Sequence, residues 1–173
     1  MEYPKYLLAN NRKQYPEERI HQKNLMYARH KPGPQWEDQD DFPNFDSIRS
    51  DQSVNWSAFS IPVWVRFTNT KEYKSDYGVA AYSVFGVRNA HLYNKQLKEN
   101  SSTVKHIPVD FNYSHCQFHH QNLSKKERRL FRITLKHHCK PLIYPKTRYR
   151  KINLFFDLFV MLKHRLLVGF SKN

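Results

Sequence analysis

Glycine is scarce in this chain, four residues in 173, and acids are heavily outnumbered by bases, 15 against 29. So few glycines, beside nine prolines, argue against a low-complexity chain. There is no glycine-rich phosphate loop of the Walker or Rossmann kind, and no RNA-recognition or zinc-finger signature. Two cysteines cannot build a disulfide framework. The N-terminus, MEYPKYLLANNRKQYPEE, lacks a basic start followed by an apolar run of signal-peptide length. No transmembrane segment is expected either: the most apolar stretch, residues 152–170, has Leu158 to Leu162 as its longest unbroken run, against the ~20 residues a bilayer core needs. Together these absences predict a reducing, cytoplasmic setting. No internal repeat occurs at solenoid or propeller periods, and the length suits a single domain over 1–173.

What is present is positive charge, net +14, unevenly placed. Residues 1–51 hold eight Lys/Arg and nine Asp/Glu, whereas residues 52–173 hold 21 and six. The chain therefore divides into a near-neutral N-terminal segment, with an acidic loop at 37–46, and a basic body. Residues 121–173 alone carry 14 bases and two acids, a density that repels itself unless a polyanion relieves it. Nucleic acid is the commonest such partner.

Read in order, Pro16-Glu17-Glu18 suits a helix start and predicts a short helix over about 17–29, before Lys31-Pro32-Gly33-Pro34 breaks it. Residues 53–67 read as a turn leading into a strand with Ile61, Val63, Val65 and Phe67 on one face; Pro62 assigns it to a sheet edge or a bulge. Residues 77–88, YGVAAYSVFGVR, are apolar on both alternating faces and predict a central strand. Residues 104–109 and 113–120 form a hairpin about Asp110-Phe111-Asn112. Ser124-Lys125-Lys126-Glu127 is a capping box and opens a helix over about 125–138, with Leu130, Phe131, Thr134 and His138 on one side and bases on the other. Residues 141–145 make a short extended piece, and 152–170 a long apolar helix suited to core packing, a protein partner or a homodimer. The fold expected is α+β: a mainly antiparallel sheet over about residues 60–120 with these three helices around it.

The chemistry concentrates between Val104 and Lys140, which holds both cysteines and six of the ten histidines. Strand alternation puts Tyr113, His115, Gln117 and His119 on one wet face, and Cys116 and Phe118 on the other. Cys116, His119, His137 and Cys139 have the right ligand types for zinc, but the alternation separates the first two and His137-x-Cys139 matches no usual paired spacing. No metal and no cofactor is expected. A metal-independent ribonuclease of toxin type needs a base for a 2′-hydroxyl and an acid for the leaving oxygen. His115 and His119 stand about 13 Å apart along a strand, too far for one phosphate. His106 is the alternative partner for His115, with Tyr113 to orient the phosphate or base. In one hairpin register His106 faces Gln117, on the side of His115; one residue over, it faces Cys116.

The binding reading draws on more residues. Lys125, Lys126, Arg128, Arg129, Arg132 and Lys136, followed by Lys146, Arg148, Tyr149, Arg150 and Lys151, form a basic surface with tyrosines for base stacking. The function expected is therefore binding of RNA or single-stranded DNA, alone or within a larger assembly. The alternatives are the histidine ribonuclease and a non-enzymatic adaptor docking through residues 152–170.

Overall fold

The computed structural model describes residues 2–8, 12–32, 36–37, 42–44, 52–120 and 123–145. Their strands are β1 (Leu25–His30), β2 (Trp36–Glu37), β3 (Phe42–Pro43), β4 (Ser53–Trp56), β5 (Gly78–Ser83), β6 (Ser102–His106), β7 (His115–His120) and β8 (Cys139–Ile143). Their helices are α1 (Val84–Arg88), α2 (Ala90–Tyr93) and α3 (Lys125–Leu135). Six strands build one antiparallel sheet in the order β6-β7-β4-β1-β5-β8. Strands β2 and β3 pair only with each other, and they contain most of what is described of the acidic segment 37–46. The mixed α/β architecture with an antiparallel sheet is as the sequence implies, but three of the six strands, β1, β4 and β8, lie outside the residues 60–120 expected to form it. The apolar helix expected over 152–170 lies outside the described residues, and no described helix is long and apolar enough to cross a membrane.

Three local expectations are overturned, the first by strand pairing and the other two by helical turns that start within the expected strands. The helix expected over 17–29 is a single 3-10 turn, Glu17–Arg19, followed by β1. Pro16 and the two glutamates do start a turn, but Asn24 Oδ1 accepts from His21 N at 2.9 Å and reverses the chain. The next six residues then pair with β5 along their whole length and with β4 on the other side. Ladder bonds and complete burial of Met26, Tyr27 and Ala28 outweigh a weak helix preference.

The turn expected at the start of residues 53–67 is itself a strand, β4, and the strand expected after it through Ile61, Val63, Val65 and Phe67 does not form. Pro62 instead enters the first turn of a five-residue 3-10 helix, Pro62–Arg66, where its missing N–H costs nothing. Ile61, Val63, Val65 and Phe67 are all buried, though not as one face of a strand. Val63 and Val65 lie over Tyr27, Val79, Ala81 and Ile143, covering the β1-β5-β8 half of one sheet face.

The strand expected over 77–88 ends at Ser83, whose Oγ accepts from Gly86 N at 2.9 Å and starts α1. A Cβ on Gly86 would stand 2.1 Å from His138 Cγ, so close packing of the chain after α3 requires glycine here. The strand part is interior, between β1 and β8, and buried on both faces as its composition suggests.

The opposite sheet face holds the larger core. Val54, Trp56, Ala80, Tyr82, Val104, Cys116 and Phe118 pack there against Phe131 and Leu135 of α3. Phe118 and Phe131 meet edge to face with ring centroids 6.4 Å apart.

Candidate functional site

Helix α3 begins as its sequence dictates. Ser124 Oγ accepts from Glu127 N at 3.3 Å, and Ser124 N donates to Glu127 Oε2 at 2.8 Å, a closed capping box. The bond from Ser124 holds the Glu127 carboxyl below the usual carboxylate range. Phe131, Thr134 and Leu135 are buried against the sheet, with Leu130 partly buried beside them. Lys125, Lys126, Arg128, Arg129 and Lys136 are exposed, and Arg132 is half-buried. Lys146, Arg148, Tyr149, Arg150 and Lys151, expected to continue this surface, lie outside the described residues.

In the hairpin, the alternation of β7 is as expected: Cys116 and Phe118 point into the core while His115, Gln117 and His119 are half-buried on the other face. The register is the one that sequence reasoning left open. His106 pairs with Cys116 and Lys105 with Gln117, so His106 turns to the core face, away from His115. Only 1% of His106 is exposed. Its Nδ1 accepts from Tyr15 N at 2.9 Å, and its Nε2–H donates to Tyr113 O at 2.6 Å. Both ring nitrogens are therefore occupied by backbone, and burial pushes its pKa down.

Around His106 stand Tyr15, Trp56, Phe59 and Tyr113, each with its ring centroid within about 6 Å of the imidazole. Tyr113 precedes β7 and is buried. Its Oη donates to Lys13 O at 3.1 Å, its N donates to Leu7 O at 2.5 Å, and Arg12 lies 4.9 Å over its ring. His106 and Tyr113 thus fasten the N-terminal segment to the sheet and do not meet His115 around a common substrate position.

His115 stands differently. Its Nδ1–H donates to Ile107 O at 2.7 Å, which commits that nitrogen to the backbone and turns Nε2 the other way. The ring lines a cleft of about 580 Å³ on the half of the sheet that the 3-10 helix leaves uncovered. Three strands that are neighbours in the sheet supply its floor: Arg29 from β1, Ser53 and Asn55 from β4, His115 and Gln117 from β7. Trp64, Val65 and Phe67 form one wall, and Phe111 and Asn112 of the hairpin turn another, with Tyr3, Lys31 and Tyr77 also lining it. Among the described residues that line it there are two cations and no carboxylate.

Two features pre-set the polar groups of this cleft. Ser114 N donates to Asn112 Oδ1 at 3.1 Å, and Asn112 Nδ2 donates to Asn55 Oδ1 at 2.5 Å. Ser114 Oγ lies 2.6 Å from Asn112 Oδ1 and 3.0 Å from Asn55 Oδ1, so its one hydrogen is directed between these two acceptors and chiefly to the nearer. This chain starts at a backbone N–H, which sets both amide orientations and leaves the Nδ2 donors of Asn55 for a group in the cleft. Arg29 Nη1 donates to the carbonyls of Phe67 and, at 3.5 Å, Val65. Burial pushes the guanidinium pKa down by desolvating the cation, Tyr77 opposing, and the carbonyl dipoles hold the charge without neutralising it.

Sequence reasoning named His115 and missed Arg29, Asn55 and Trp64. Arg29 fell inside the expected helix. Asn55 had a visible signal, since Ser-Val-Asn-Trp alternates polar with apolar as a half-buried strand does.

The four residues weighed for zinc are dispersed. Cys116 lies in β7 and Cys139 in β8, with β4, β1 and β5 between them, roughly 19 Å at the ordinary strand spacing. Burial raises both thiols, that of Cys139 to about 12. Among the described residues no group of three or more His, Cys, Asp or Glu is placed to hold a metal ion.

Compared with protein-family models, with curated proteins and with solved structures, the chain matches none.

Proposed function

We propose that this chain binds nucleic acid, RNA before DNA, through the solvent side of α3. The observation that carries the reading is the division of that helix: it spends its apolar side on the sheet and presents Lys125, Lys126, Arg128, Arg129 and Lys136, while its single acid, Glu127, is engaged in the cap. Lys125 and Lys126 sit in the first turn, where the helix dipole disfavours cations, so their place there costs helix stability that a bound phosphate would offset. A net charge of +14 supplies the long-range attraction. The geometry favours this reading over the ribonuclease, because His106 is turned into the core and gives His115 no acid–base partner.

The test is the salt dependence of affinity for a labelled single-stranded RNA, read by fluorescence anisotropy between 50 and 200 mM salt. Each phosphate contact contributes about −0.7 to the slope of log K on log salt for a single strand. Replacing Arg128, Arg129 and Arg132 together with Gln should make the slope shallower by about 2 and weaken binding at every salt concentration. An unchanged slope in the triple variant, or no binding by the wild type at 50 mM salt, rejects α3 as the binding surface.

A further inference from the structure

We infer that the cleft beside His115 is a second binding site, on the opposite sheet face from α3, and that it takes one nucleotide unit. The proposal rests on the nucleic-acid reading only for its choice of ligand; the residues and the face are different. Three properties of the cleft converge on that ligand.

The first is charge. Arg29 is buried enough to depress its pKa, is held by carbonyl oxygens, and meets no carboxylate among the described lining residues. A half-buried cation so placed is stabilised most by an anion entering the cleft. The second is shape: about 580 Å³ falls within the range of sites that enclose a small ligand, and Trp64, Tyr77 and Phe111 supply flat aromatic walls.

The third is directional polarity. Asn55 has its acceptor satisfied by Asn112 and its two Nδ2 donors left for the cleft, whereas His115, with Nδ1 committed to Ile107 O, leaves Nε2, an acceptor in the neutral ring, for a ligand. A ligand with an anionic group, a flat ring and both donors and acceptors on that ring matches all three. A nucleotide has each of these, with its phosphate on Arg29, its base between the aromatic walls and Asn55, and a donor, the ribose hydroxyl or an exocyclic amine, on His115 Nε2. Inorganic phosphate satisfies only the first property.

The measurement is isothermal titration of the full chain with the four ribonucleoside 5′-monophosphates, with inorganic phosphate, and with single-stranded RNA tetranucleotides. Binding of at least one monophosphate at sub-millimolar concentration is expected, at least tenfold tighter than inorganic phosphate. Asn55→Asp keeps the acceptor that Asn112 and Ser114 need, removes the two donors and adds a like charge, so it should weaken nucleotide binding at least tenfold with the thermal midpoint little changed. Arg29→Gln should weaken it further, and Asn55→Asp carries the test if that variant does not fold. The Arg128, Arg129 and Arg132 triple variant should keep nucleotide binding intact, and Asn55→Asp should keep the salt slope on long RNA; failure of the cleft and failure of the α3 surface are thereby separate results. Tetranucleotides binding at least as tightly as monophosphates identify the ligand as part of a strand, and monophosphates binding more tightly identify it as a free nucleotide. No binding by any monophosphate or tetranucleotide at 1 mM, or equal affinity in wild type and Asn55→Asp, overturns the proposal.

Discussion

His30 makes this fold sensitive to acid. Its ring is 2% exposed at the end of β1, on the core face, with Nε2 3.0 Å from Tyr82 Oη. Tyr82 is itself buried and its pKa raised, so its hydroxyl stays protonated and donates to the neutral imidazole. Burial pushes the His30 pKa down to about 3 from an ordinary 6.5. Because the folded value lies below the unfolded one, the stability contributed by a neutral ring is complete above about pH 6.5 and is lost as the pH falls toward 3. At pH 4.5 the unfolded side chain is protonated with a free energy of about 2.7 kcal/mol while the folded one is still neutral, so the wild type should lose about that much between pH 7 and 4.5 through this residue alone.

His30→Gln removes the titration and keeps an acceptor for Tyr82. Urea unfolding of both proteins at pH 7.0 and 4.5 gives a difference of differences in which the variant's own packing cost cancels. The wild type should lose roughly 2–3 kcal/mol more than the variant over that interval. Parallel losses in the two proteins would show that His30 is not held neutral, and would refute the linkage argument.

His106, also buried with its pKa pushed down, has a structural role to be separated from a functional one. His106→Ala should destabilise by about 2–4 kcal/mol, from the cavity and the two orphaned backbone partners, and should speed trypsin cleavage after the already exposed Arg12 and Lys13 by loosening the backbone there. Unaltered stability and proteolysis would mean that the N-terminal segment does not depend on this ring. Gly86→Ala should cost about 2–3 kcal/mol in a denaturant titration, since the new methyl meets the His138 ring at 2.1 Å. A neutral effect would show that His138 moves aside freely.

Sequence alone determined whatever closes within a few residues. The Ser124–Glu127 box is complete inside one helical turn, and the basic and apolar sides of α3 follow from 3.6-residue spacing, so both could be read without knowing the neighbours. The alternation of β7 was legible for the same reason, being a property of one strand. Beyond the β6–β7 hairpin and the interior place of β5, what depends on a second strand was not. Residues 25–30 became β1 and not helix because β4 and β5 flank them, and the propensity of six residues is too weak to resist two ladders. The register that turns His106 into the core differs by one residue from the register that would set it beside His115. Only the fit of its ring among Tyr15, Trp56, Phe59 and Tyr113 separates them. The cleft is the furthest from reach: Arg29, Asn55 and His115 lie on strands that are neighbours in the sheet but distant in sequence, and they share a floor because β1, β4 and β7 pair side by side and the 3-10 helix from Pro62 covers the other half of that face.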